Sequence, residues 1–75
     1  MTTARRILEH HAVVAVDSCS PEDVEKTVMR VSRLVREGAY RIRIKLKGLE
    51  MKDCLELVRR LTQTFIHVGF IVEEE

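Results

Sequence analysis

Between Arg41 and Lys47 polar and apolar positions alternate without a break. RIRIKLK puts Arg41, Arg43, Lys45 and Lys47 on odd positions and Ile42, Ile44 and Leu46 on even ones. Successive side chains of a strand point to opposite faces. The spacing therefore predicts a strand over about residues 40–47 with one apolar face and one face of four cations, ended by Gly48. Upstream, AVVAV at 12–16 is a continuous apolar run before Asp17 and reads as a buried strand. Val24, Val28, Val31 and Val35 then recur at helical spacing. Ser20 suits the N-cap of that helix, Pro21 its first position, and Asp23 completes a capping-box pattern. Gly38 supplies the stop. A second helix is expected from near Glu50 or Met51, with Met51, Cys54, Val58, Leu61 and Phe65 as its buried stripe and Leu55 and Leu57 widening it. Val68, Phe70 and Val72 alternate with His67, Gly69 and Ile71, which predicts a third strand running into the acidic end Glu73, Glu74 and Glu75.

The predicted order is β-α-β-α-β, an α+β fold in two layers. Strands buried on both faces should be apolar throughout, and the middle one is not. Both helices are therefore expected on one face of a small mixed sheet, with the four cations on the open face. A fourth strand could come from the N-terminal residues or from a second subunit. Residues 1–11 are read as an arm or short helix, and residues 12–75 as a single domain.

Composition adds two constraints. A chain of 75 residues buries only about 60% of its unfolded surface, so association with a partner is a natural aid to stability. Net charge is only +1, but it is unevenly spread. From Val24 to Lys52 there are nine cations against Glu25, Glu37 and Glu50, a weak pointer to a polyanionic partner. No apolar run is long enough to span a membrane, and MTTARRILEHH lacks the apolar core of a signal peptide. A cytoplasmic protein is expected.

Candidate chemistry is sparse. Cys19 lies between the first strand and the first helix, where a helix dipole favours the thiolate, while Cys54 falls on an apolar stripe. Without a paired spacing or a secretory signal, free thiols are expected rather than a disulfide. His10, His11 and His67 have no ligand partners at metal-binding spacing, so neither metal nor cofactor is expected. No nucleophile–base set or glycine-rich phosphate loop is present, and the chain is expected not to be an enzyme. Tyr40 alone is a poor platform for stacking bases.

EGAYRIRIKLKG at 37–48 and the helix after it, to Phe65, resemble the Alba family of small chromatin and RNA-binding proteins. The family's central motif reads roughly E-G-A-x-x-V-x-I-K-A-R-G. Glu37, Gly38, Ala39, Ile44, Lys45 and Gly48 fit it directly, in one ungapped register. The resemblance implies a dimer that binds DNA or RNA, with Lys45 and Lys47 among the contact residues. Alternation alone adds Arg41 and Arg43 to that set. The family's lysine-bearing loop after the first strand is replaced here by DSCSPE, which has no cation, and its long C-terminal hairpin has no counterpart up to Glu75. RNA is therefore favoured over duplex DNA. A fainter similarity is to the TusA-like sulfur carriers, whose cysteine follows the first strand in C-P-x-P. Here that place reads Cys19-Ser20-Pro21-Glu22.

The expected function is thus a small, non-enzymatic nucleic-acid-binding protein, a homodimer or hetero-oligomer, contacting phosphates through Arg41, Arg43, Lys45 and Lys47. One alternative is a protein–protein interaction module or subunit that binds no nucleic acid. The other is a sulfur-carrier or redox protein using Cys19.

Overall fold

The computed structural model describes residues 11–75. The expected arm and His10 lie outside the described residues, and His11 opens the first strand rather than closing the arm. Three strands and two helices follow in the order β1 (His11–Val16), α1 (Pro21–Arg36), β2 (Arg41–Leu46), a 3-10 turn (Met51–Cys54), α2 (Leu55–Thr64) and β3 (Gly69–Glu74).

Local sequence accounts for the ends of α1. The Ser20 hydroxyl accepts from the Asp23 backbone N–H at 3.4 Å and donates to the Asp23 carboxylate at 2.9 Å. Pro21 occupies the first helical turn, where a missing N–H costs nothing. At the other end Gly38 takes φ 107°, and the N–H groups of Gly38 and Ala39 close back on the carbonyls of Val35 and Leu34. The second helix departs from expectation at its start. Residues 51–54 form a separate 3-10 turn before α2 begins at Leu55. Leu57 and Leu61 are buried, whereas Leu55 is 60% exposed.

The sheet runs β1-β2-β3 with both pairings parallel. No antiparallel pair occurs among the described residues, so the sheet is not mixed. Each helix carries the chain back to the starting end of the sheet, which makes successive strands parallel. Even-numbered strand residues Val14, Val16, Ile42, Ile44 and Leu46 share one core with Val24, Val28 and Val31 of α1 and Leu57 and Leu61 of α2. Both helices therefore cover the same face, and the two-layer α+β arrangement is as the pattern implied.

Among the described residues nothing covers the opposite face. In β1 this exposes Val13 despite the apolar run around it, and in β3 it exposes Ile71. The register sets His11, Arg41 and Gly69 in one row, Val13, Arg43 and Ile71 in the next, and Ala15, Lys45 and Glu73 in the third. Among the described residues no helix is long and apolar enough to cross a membrane.

Candidate nucleic-acid interface

Arg41, Arg43, Lys45 and Lys47 do lie together. Alternation along β2 carries all four away from Ile42, Ile44 and Leu46, which are at most 1% exposed. Neighbouring cations are spaced about 6.6 Å apart along the strand. They form one file down the middle of the open face, flanked by β1 and β3.

The file is not bare. Arg43 Nε lies 3.7 Å from a Glu73 carboxylate oxygen, and Lys45 Nζ lies 3.6 Å from Glu75. Lys47 Nζ approaches the same Glu75 carboxylate to 2.6 Å. The pairing is diagonal: Lys45 stands beside Glu73 in the register, yet Glu73 meets Arg43 and Glu75 meets Lys45. Hydrogen bonding from Lys47, reinforced by the charges of Lys47 and Lys45, holds the Glu75 carboxyl below its ordinary value. Glu75 is placed by the backbone, because its N–H donates to the Leu46 carbonyl and its carbonyl accepts from the Gly48 N–H. Glu74 points the other way and caps the Met51 N–H at 2.7 Å. No described carboxylate is within ion-pair distance of Arg41. The sequence reading ran the third strand into this acidic end without pairing it to β2, because an unbroken run of three glutamates does not show which of them face the cations.

A second cationic strip lies on the outer surface of α1. Lys26, Arg30, Arg33 and Arg36 line a shallow groove there with Met29, which is 70% exposed. None of the four makes an ion pair with a described carboxylate. Arg30 instead donates to the Ala15 carbonyl, at 3.5 Å, on the side of β1 away from β2. On α2 the cations are engaged: Arg59 with Glu56 at 2.6 Å, and Arg60 with Glu25 of α1.

The cysteines correct the sequence reading. Cys19 and Cys54 are joined in a disulfide, with their Cα atoms 5.5 Å apart. They are separated by 35 residues along the chain, and only the parallel return of β2 brings the 3-10 turn beside the loop after β1. Cys54 is buried as expected, but in the 3-10 turn rather than on the helix stripe. Among the described residues no group of three or more His, Cys, Asp or Glu is placed to hold a metal ion.

No protein-family model, curated protein or solved structure matches the chain. The likeness to Alba proteins therefore rests on the residues from Glu37 to Phe65 alone.

Proposed function

We propose that this protein binds nucleic acid through its open sheet face, with Arg41, Arg43, Lys45 and Lys47 contacting backbone phosphates and RNA preferred to duplex DNA. The observation that carries the reading is the file of four cations on a face that no described helix covers. Parallel sheets are ordinarily covered on both sides, so an uncovered face invites a partner, and this one offers positive charge along its centre. The carboxylates of Glu73 and Glu75 do not block the site. Exposed ion pairs at such distances contribute little, and a phosphate chain can take their place. They do weaken binding, because they stay beside the incoming phosphates. Contacts of this kind carry no base information, so binding is independent of sequence.

The test is charge reversal on each cationic surface separately. Lys45→Glu with Lys47→Glu is expected to lower affinity for single-stranded RNA about tenfold or more while leaving the circular dichroism spectrum intact. Lys26→Glu, Arg33→Glu and Arg36→Glu together remove the strip on α1. If the α1 variant loses binding and the β2 variant keeps it, the sheet face is the wrong site. If neither loses it, the phosphates are held outside both cationic surfaces and the sheet face is again the wrong site; if the wild-type protein does not bind, the chain is better read as a protein-interaction module.

A further inference from the structure

The disulfide lies apart from the cationic file, and its two sulfurs are unequal. Cys54 is 1% exposed. Cys19 is half-buried, in the loop after β1. A shallow depression bordered by Cys19, Pro21, Val24, Glu25, Glu56 and Arg60 opens beside it. The depression therefore gives an incoming thiolate an approach on the side of Cys19, whereas Cys54 is closed off from solvent.

Both cysteines also stand at helix N-termini. Cys19 directly precedes Ser20, the N-cap of the 16-residue α1, and Cys54 is itself the N-cap of the 10-residue α2. The positive end of a helix stabilises a thiolate. Stabilising the reduced form makes a disulfide a better electron acceptor.

We propose that Cys19–Cys54 is a thiol–disulfide exchange centre that oxidises dithiol peptides or proteins, independently of nucleic-acid binding. A substrate thiolate attacks Cys19 Sγ. The bond between the two Sγ atoms breaks, and its electron pair leaves on Cys54, giving a mixed disulfide between substrate and Cys19. The second thiolate of the substrate then attacks the substrate sulfur of that mixed disulfide, and Cys19 leaves as a thiolate. The substrate loses two electrons and gains a disulfide; the protein takes both electrons and becomes a dithiol. Pro21 and Val24 give the depression an apolar floor suited to an extended peptide segment.

Reduced glutathione serves as the probe. The oxidised full chain is incubated with millimolar glutathione, quenched with acid and mapped by mass spectrometry. Exchange within minutes is expected, with a glutathione adduct confined to Cys19. No reduction over hours, or an adduct on Cys54, would overturn the proposal. The variant Cys54→Ser gives a second reading. Its Cys19 should react with iodoacetamide with a midpoint about one pH unit or more below the free-thiol value of about 8.5. Should that variant not fold, the same profile is read on the reduced wild-type chain, whose Cys54 is shielded. A midpoint at or above the free-thiol value contradicts the proposal.

Discussion

The contact between Lys47 and Glu75 ties the acidic end of the chain to the basic strand. Because the folded Glu75 carboxyl is held below its ordinary value of 4.5, its contribution to stability is present above that value and is lost as pH falls through the depressed one. A carbon-detected NMR titration should place the Glu75 midpoint below 4.5, and Lys47→Met should return it toward that value. An unchanged midpoint in the variant would mean that the pair does not form in solution. The two carboxylates also set the affinity of the face. Glu73→Gln with Glu75→Gln is expected to raise RNA affinity several-fold, and a fall in affinity would show that they do not compete with phosphate. Which residues belong to the core was legible where alternation was clean, as at Ile42, Ile44 and Leu46. It was not legible at Val13, whose neighbours are all apolar and whose exposure follows only from its place on the open face. Ile44→Ala, at a position with no exposure, should cost about 2–5 kcal/mol in urea denaturation, whereas Val13→Thr should change stability little. Equal costs would contradict a sheet covered on one side.

At the scale of elements, α1 was the most readable part of the chain, because stripe, cap and stop agree. Ser20→Ala removes the side chain that accepts from the Asp23 N–H and should cost about 1 kcal/mol; no loss would mean that the cap is redundant. The second helix was harder to bound. Its apolar positions are dense enough to suit several helical faces, and Met51–Cys54 forms a 3-10 turn that no residue type announces. As a result Leu55 and Leu57 were both read as widening the buried stripe, whereas Leu55 faces solvent and Leu57 is fully buried. Strand direction was only partly legible. Helical connections allow parallel pairing, and the complete parallel order β1-β2-β3 emerges from both helices lying on one face.

For the molecule as a whole, the sheet face and the disulfide make separate claims. The disulfide escaped sequence reading because its partners lie 35 residues apart, with no motif to pair them. Loop closure alone would let such a bond stabilise the fold by roughly 4 kcal/mol. If helix ends favour the reduced thiolates, oxidised and reduced protein should differ by clearly less in urea denaturation. A difference at or above that size would identify a structural staple. The central claim concerns the file of cations along β2. Its most direct test is the affinity of the wild-type protein for labelled single-stranded RNA and duplex DNA, measured by fluorescence anisotropy over a range of salt. About four phosphate contacts predict a log–log salt slope near −3 on single-stranded RNA, with weaker binding to duplex DNA. Binding that ignores salt, or none even at low salt, would contradict phosphate recognition by this face.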